Sequence, residues 1–462
     1  MEPEVGRQKS SDFGFRISDF RLRTSDFGLR TNYKYMNKII SRRDWLKQSG
    51  VGFSGVFLQG LLGNTDIFKK KDLTILLVSG WQDINIGDIA HTPGLLHVLE
   101  TFLPEARIIL WKRSYSKEVE ELLIMNFPDV KIVNGNVTTS GEVDSEDVRD
   151  AFSRADLMIH GSGPSIVGKT NLEAWYKSTG KPFGIFGTTI QDIDKSLAEL
   201  LKKALFIYTR ETASLKMLEA SGIKGDKIFF VPDATFYLNL KNETKAISFL
   251  KENGLVEKKF ICVIPRLRKT PYYKIRPESY SPAQVKAIDD LNNSKKGEDH
   301  TRMREAMISW IRTTGNKVLI CPEMTYQVEI MDELLINPLP ADVKPFVLKR
   351  GYWFPDEAAS VYERASAVLS FECHSPIIAI RNNTPAIYLR QPEDTIKGQM
   401  YYDMGLKDWV FEIEQSTGKM IAERLTEIIS GPRATTILLK NVNKSITAYY
   451  KKAVKVLKDS MS

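Results

Sequence analysis

The chain has 462 residues, of which 42% are hydrophobic and 26% charged, which is ordinary for a soluble globular protein of two or three domains. The net charge of +8 comes mostly from residues 1–70, which hold 13 Lys and Arg against 7 Asp and Glu. The rest of the chain is nearly balanced and has no basic stripe with interleaved aromatic residues, which argues against nucleic-acid binding. Its three cysteines, Cys262, Cys321 and Cys373, are too few and too widely spaced for a disulfide framework or a cysteine-rich metal site.

The first residues repeat a short unit that begins with Ser-Asp-Phe at Ser11, Ser18 and Ser25. The repeat has no helix or strand period that could bury one face. Residues 1–35 are therefore predicted to be a disordered, low-complexity extension. Met36 is a candidate for the natural start, because a segment with targeting features follows it.

Residues 36–70 resemble a twin-arginine export signal. Arg42 and Arg43 precede Trp45 and a mildly apolar run over 51–63. That run is too short to cross a bilayer, which takes about 20 residues, and no later stretch reaches this length. We therefore predict a bacterial protein that is exported to the periplasm. The alternative is an amphipathic helix with a chance arginine pair, which would leave the protein in the cytoplasm.

From Leu73 onward, short apolar runs alternate with helical segments, a pattern typical of βαβ units around parallel sheets. A polar break divides the pattern into two series. We predict an α/β fold with two Rossmann-like, doubly wound domains, at 71–240 and 241–433, which face each other across a cleft. A lysine-rich amphipathic helix is predicted at 434–462. The stretch 266–297 is predicted to be a long loop that serves as a lid or an insertion.

Three places in the first series carry candidate ligand-binding residues at strand ends, where ligands bind in doubly wound sheets. The turn after the first strand holds Asn85, Gly87 and Asp88, but it lacks a dinucleotide fingerprint, and Asp88 could simply cap the next helix. A later turn, with glycines that let a ligand approach the backbone, is either a binding loop or a tight turn; it consists of Gly161, Ser162 and Gly163. Arg210 either holds an anion or forms an ion pair with Asp233, and the ion pair is favoured.

The second series ends in the most informative stretch. His374 and Ser375 open a helix directly after a strand, and Arg390 and Lys397 follow the next strand. A helix N-terminus beside an imidazole, a guanidinium and an ammonium group suits a small anion that carries several charges. The alternative for His374 is a helix cap or a buried histidine with satisfied hydrogen bonds.

Two further cations, Arg266 and Arg268, leave the first strand of the second series. They could clamp the same anion, or they could be ordinary surface charges. The chain has no spaced His, Asp and Glu cluster for a metal, no nucleophile elbow and no P-loop, so no metal and no cofactor are predicted.

Taken in order, these motifs resemble the polysaccharide pyruvyl transferase family, whose architecture is like that of GT-B glycosyltransferases. The resemblance covers roughly residues 75–412. It rests on the Asn85 turn, the strand before the Gly161 loop, the helix start at Arg210 and the turn at His374. The chain departs from the family where Ser162 interrupts a run of glycines, and where Glu372 replaces an arginine that members often carry.

The resemblance implies an enzyme of cell-envelope or exopolysaccharide biosynthesis that transfers a pyruvyl group from phosphoenolpyruvate to a glycan as a cyclic ketal. His374 would be the general acid and base. The donor would be held by Arg266, Arg268, Ser375, Arg390 and Lys397. The acceptor sugar would face Asn85, Gly87, Asp88 and the 161–163 loop. The oligomeric state stays open.

Two other functions fit the same sequence features. One is a GT-B glycosyltransferase that uses a nucleotide-sugar donor, and the other is a non-catalytic, exported glycan-binding protein. Phosphoenolpyruvate is a cytoplasmic metabolite, whereas residues 36–70 resemble an export signal. The donor and the compartment in which the protein acts therefore stay open.

Overall fold

The computed structural model describes residues 73–461, so the predictions for residues 1–35 and 36–70 lie outside the described residues. The described part is built on two parallel β-sheets whose strands alternate with helices, as the α/β pattern predicted. None of the helices in this part has the length and apolarity that crossing a membrane requires.

The N-terminal half begins with a strand that is buried from Ile75 onward, and its later strands are also strongly apolar, as is typical of parallel strands covered on both faces. Its elements are β1 Thr74–Ser79, α1 Ile86–Phe102, β2 Arg107–Lys112, α2 Lys117–Asn126, β3 Lys131–Val133, α3 Glu146–Arg154, β4 Leu157–His160, α4 Lys169–Thr179, β5 Phe183–Thr188, α5 Lys195–Leu201, β6 Phe206–Thr209, α6 Thr212–Ala220 and β7 Ile228–Phe230.

The C-terminal half repeats this plan and ends in two further helices. Its elements are α7 Glu243–Glu252, β8 Phe260–Ile264, α8 Pro282–Thr314, β9 Lys317–Ile320, α9 Gln327–Met331, β10 Val347–Lys349, α10 Pro355–Arg364, β11 Ala367–Ser370, α11 His374–Arg381, β12 Ala386–Arg390, α12 Gln399–Asp403, β13 Val410–Glu412, α13 Gly418–Ser430 and α14 Pro432–Met461.

The strand orders identify where ligands would bind. The first sheet has the order β3-β2-β1-β4-β5-β6-β7 and the second has the order β10-β9-β8-β11-β12-β13, and all pairings are parallel. The order reverses between β1 and β4 in the first sheet and between β8 and β11 in the second. In doubly wound sheets the crevice outside the carboxyl ends at such a reversal is the usual ligand site.

The two halves meet at these carboxyl ends. Asn85, after β1, pairs with Met324, after β9, in an isolated antiparallel bridge. The Ile86 amide donates to the Glu323 carbonyl over 2.8 Å, and the Thr325 amide donates to the Ile84 carbonyl over 3.1 Å. The turns that carry the candidate residues are therefore in direct contact across the two sheets.

The structure corrects two local predictions. The stretch 266–297 is not one long loop, because α8 begins at Pro282, with Ser281 and Gln284 forming a capping box. The side chain of Asp88 does not cap α1. Asn85 does, accepting hydrogen bonds from the Gly87 amide over 2.7 Å and from the Asp88 amide over 3.3 Å.

Candidate active site

The centre of the site is His374, the first residue of α11. The turn before it is held by Ser370, whose hydroxyl accepts from the Glu372 amide over 2.9 Å and donates to the Glu372 carbonyl over 2.8 Å. His374 is buried, and its imidazole lies between two groups from other elements. Its Nε2 is 3.0 Å from Nε2 of His91, and its Nδ1 is 3.2 Å from Oε1 of Glu323. Both ring nitrogens therefore face protein groups.

Glu323 also caps α11, whose own preceding residue provides no side-chain cap. Its Oε2 accepts from the Ser375 amide over 2.6 Å and from the Ser375 hydroxyl over 2.8 Å. A carboxylate at a helix N-terminus satisfies otherwise unpaired amides and interacts favourably with the helix dipole. Ser375, which was predicted to bind the pyruvyl donor, thus orients Glu323 in this structure.

His91 lies on α1 and is completely buried. Its Nε2 is 3.3 Å from Oδ2 of Asp233, and the same oxygen is 3.9 Å from Nε2 of His374. The Asp233 side chain is oriented by the Thr235 amide, 2.9 Å from Oδ1, and by Arg210, whose Nη1 is 2.7 Å from Oδ2. The ion pair between Arg210 and Asp233 that the sequence favoured is present. His91, Asp233 and His374 are residues that could hold a metal ion.

Opposing charges dominate the electrostatics of this cluster. Burial alone would lower the pKa of His374, but Cys373, Asp233 and Glu323 raise it well above the ordinary histidine value. Burial would raise the pKa of Asp233, but His91, His374 and Arg210 hold it well below its usual range. The pKa of Glu323 is likewise lowered by His374 and Ser375 against the effect of burial. A positive charge is therefore strongly favoured among these carboxylates.

A second cluster lies beside the first, where β8, β11 and β12 end. Arg266 forms an ion pair with Asp394, and Lys397 contacts the same carboxylate over 3.1 Å. Oε2 of Glu372 is 3.4 Å from Nε of Arg266, a buried donor that lacks a hydrogen-bond acceptor. Burial raises the pKa of Glu372 to about 7, with Glu323 and Asp394 adding to the effect and Arg266 and Lys397 opposing it.

Arg268 and Arg390, which were also predicted to bind the pyruvyl donor, form ion pairs with other carboxylates. Arg268 is 2% exposed and forms a bidentate pair with Asp299, with nitrogen–oxygen distances of 2.5 and 2.8 Å. Arg390 contacts Glu412 over 2.7 Å and also donates to the Thr395 carbonyl. The structure brings Arg266 and Lys397 together on one carboxylate, while Arg268 and Arg390 each have different carboxylate partners.

The predicted acceptor residues lie in the N-terminal half of the site. Gly87 packs so closely on the ring of His374 that a β-carbon at this position would overlap the imidazole. Asp88 is hydrogen-bonded by Gln82, and its Oδ1 is 3.9 Å from Nδ1 of His91. The Asn85 turn therefore lies directly against the His374 turn.

The Gly161, Ser162 and Gly163 turn is firmly packed. The Ser162 carbonyl accepts from the indole of Trp81 over 2.6 Å, and its hydroxyl accepts from the Ala234 amide over 3.1 Å. Gly163 also packs on the same indole. These contacts hold the turn beside the loop that carries Asp233.

Sequence reasoning missed two residues of the site, His91 and Glu323, and it missed the role of Glu372. His91 is one of only five histidines and lies six residues after Asn85, so its position was a usable signal. Glu323 follows β9 by three residues, so its place near a strand end was also a usable signal. The only signal of the role of Glu372 in the sequence is that it stands where family members often carry an arginine.

The fold is shared with sugar-nucleotide enzymes of low sequence identity. A UDP-GlcNAc 2-epimerase from Neisseria meningitidis, bound to UDP-GlcNAc, has 11% identity and a TM-score of 0.52, over 84% of this chain and 100% of that one. The Anabaena protein HepE, in complex with UDP, has 10% identity and a TM-score of 0.51, over 84% and 98%. A UGT transferase from Siraitia grosvenorii has 9% identity and a TM-score of 0.52, over 84% and 100%. At such identities the likeness shows the fold alone, which is GT-B-like.

No curated protein matches the chain at a significant level. The sequence does match a family model, the one for polysaccharide pyruvyl transferase, over residues 85–391. That range begins at the Asn85 turn and includes His91, Asp233, Glu323 and His374. The chain therefore belongs to the polysaccharide pyruvyl transferase family, and it is a transferase.

Proposed function

We propose that this transferase moves a pyruvyl group from phosphoenolpyruvate to two hydroxyls of a sugar in a cell-surface glycan. One hydroxyl adds to C2 of the donor while the methylene carbon takes up a proton and becomes a methyl group. The second hydroxyl then displaces phosphate from C2, which closes the cyclic ketal. The observation that carries this proposal is the family match over 85–391, because it includes every residue of the His374 cluster.

The donor would be held by the cations at the ends of β8 and β12. Nε of Arg266 donates no hydrogen bond, although Oε2 of Glu372 lies 3.4 Å from it. Among the described ion pairs, Lys397 contacts one carboxylate, Asp394, which it shares with Arg266. A donor carboxylate or phosphate can accept from such groups through charge-assisted hydrogen bonds. Since Arg268 has the bidentate pair with Asp299, we assign it to positioning this region instead.

His374 stays our predicted general acid and base. A proton on its Nε2 now faces His91, so the contact between the two imidazoles must open before the donor can receive that proton. The acceptor sugar would approach from the N-terminal half, past Asn85 and Asp88. Export to the periplasm stays a prediction from residues 36–70.

The test is a calorimetric titration of the full chain with phosphoenolpyruvate and, in parallel, with a panel of nucleotide sugars. We expect binding of phosphoenolpyruvate, weakened in Lys397→Gln by about 1.5–3 kcal/mol for the lost charged hydrogen bond. Lys419→Gln is the matched control, because Lys419 is 84% exposed on α13. Reaction with a donor labelled at C2 should then give a ketal carbon signal in the glycan. Binding of a nucleotide sugar but not of phosphoenolpyruvate would contradict the proposal.

A further inference from the structure

We propose that His91, Asp233 and His374 form a binding site for one divalent first-row transition metal ion. The three residues come from α1, from the loop after β7 and from the start of α11, so the site exists only where the two halves meet. It goes beyond the proposed transfer reaction, which requires no metal.

The distances among the three ligand atoms fit a metal closely. Nε2 of His91, Nε2 of His374 and Oδ2 of Asp233 form a triangle with sides of 3.0, 3.3 and 3.9 Å. The point equidistant from all three atoms in their plane is about 2.0 Å from each. Zinc binds imidazole nitrogen at about 2.0–2.1 Å and carboxylate oxygen at about 2.0–2.2 Å.

The surroundings of the ligands are those of a metal centre. An imidazole that ligates a metal through Nε2 usually donates its Nδ1 proton to a carboxylate or carbonyl. Here Nδ1 of His374 faces Oε1 of Glu323 at 3.2 Å, and Nδ1 of His91, which has no hydrogen-bond partner, faces Oδ1 of Asp88 at 3.9 Å. The unpaired Nδ1 of His91 would complete this pattern after a small movement toward Asp88.

Charge and burial are consistent with a cation in this position. All three ligands are buried, and the carboxylates of Asp233 and Glu323 lie on either side of His374. Arg210 supplies one positive charge through its contact with Oδ2 of Asp233. A carboxylate that ligates a metal is commonly hydrogen-bonded by a neighbouring donor such as Arg210, and Oδ2 of Asp233 keeps a second lone pair for the metal.

The ligand types indicate the class of metal. Two imidazoles and one carboxylate suit zinc, cobalt, nickel or iron(II), whereas magnesium and calcium prefer oxygen ligands alone. Three protein ligands leave at least one position for water or for a substrate oxygen. A metal and a proton on Nε2 of His374 would occupy the same space, so the metal-bound protein could not use His374 as the acid of the proposed transfer, which belongs to the metal-free protein.

The test measures metal binding without donor or acceptor, so its result is independent of the proposed reaction. The full chain, stripped with a chelator and dialysed, is titrated with zinc chloride, and the bound zinc is counted by elemental analysis. We expect about one zinc per chain and a raised melting temperature. Cobalt(II) in place of zinc should give visible absorption bands that excess zinc abolishes.

Two variants assign the site. His91→Gln should weaken zinc binding by more than tenfold, and Glu323→Gln, which alters the support of His374, by about 10–100-fold. His97→Gln is the control, because His97 lies on the same helix but stacks on Tyr237 away from the cluster. Wild-type protein that takes up no stoichiometric zinc and gives no cobalt bands would overturn the proposal, whether or not the variants fold. Equal zinc affinity in His91→Gln and wild type would also overturn it.

Discussion

Glu211 shows how a buried residue can make stability depend on pH. It is fully buried, 3.7 Å from Arg210, and it accepts hydrogen bonds from Thr189 over 2.9 Å and from Ser214. Burial raises its pKa from 4.5 to about 7, with Asp233 adding to this and Arg210 opposing it. The folded protein therefore binds this proton more tightly than the unfolded chain does.

The sign of the effect follows from proton linkage. Below pH 4.5 both states are protonated, and the full stabilising contribution of this proton is present. Between pH 4.5 and about 7 the unfolded chain loses its proton first, so stability falls as the pH rises, and above pH 7 no further loss arises from this group.

We expect Glu211→Gln, which keeps an acceptor for Ser214, to remove this pH dependence. A shift of this size corresponds to about 3 kcal/mol at most. Urea unfolding of both proteins at pH 5 and pH 8 gives the change in the free energy of unfolding between the two pH values. The effect of Glu211 is the difference between that change in the wild type and in the variant. Identical pH dependence in wild type and variant would show that Glu211 is ionised in the folded protein throughout this range.

At the scale of elements, the start of α1 joins the two halves. Gly87 lies in the first turn of α1, and a β-carbon there would overlap the imidazole of His374. Helix propensity alone favours alanine over glycine by about 0.5–1 kcal/mol. We expect the overlap to outweigh that gain, because the ring is fixed by Glu323 and His91 and cannot move away freely.

The matched comparison is Gly297→Ala in α8. Gly297 also lies inside a helix, but nothing lies within 4 Å of an added β-carbon there. We therefore expect Gly297→Ala to stabilise the protein by about 0.5–1 kcal/mol and Gly87→Ala to destabilise it. Thermal melts of the two variants give the two signs. A stabilised Gly87→Ala protein would mean that His374 is not held where the structure places it.

At the scale of the whole molecule, the last helix, α14, connects both halves. The Tyr450 hydroxyl donates to the Asp233 carbonyl over 2.6 Å, and the Tyr208 hydroxyl donates to the Ala453 carbonyl over 2.9 Å. Asn443 donates to the Ile380 carbonyl, at the end of α11, over 3.1 Å. The end of the chain thus packs beside both the Asp233 loop and the His374 helix.

Deletion of residues 432–462 should therefore unfold the protein rather than remove an accessory segment. Burial of each large apolar side chain contributes about 1.5–3 kcal/mol, whereas the net stability of a protein is about 5–15 kcal/mol. The deletion removes five buried apolar side chains from the core and exposes the surfaces that they cover: Leu439, Val442, Ile446, Val454 and Leu457. Circular dichroism of the truncated protein measures the result, with Lys440→Ala as the control, because Lys440 is exposed on the same helix. A truncated chain that keeps a cooperative melt would contradict this account.

The alternation of apolar strands and polar helices in the sequence determined the α/β class and the two series of strands, because both depend on local periodicity. The His374 turn was identified for the same reason, since a polar residue at a strand end is visible in the chain itself.

Only the tertiary structure decided which side chains share the site. His91 and His374 are 283 residues apart in the chain, and they meet because α1 of one half packs against α11 of the other. The partners of Arg266 and Arg268 are set within the C-terminal half, where the strand order brings the carboxylates of neighbouring elements to each guanidinium. Local pattern fixes the elements, whereas the docking of the two halves brings His91 to His374 and the order of the strands sets these ion pairs.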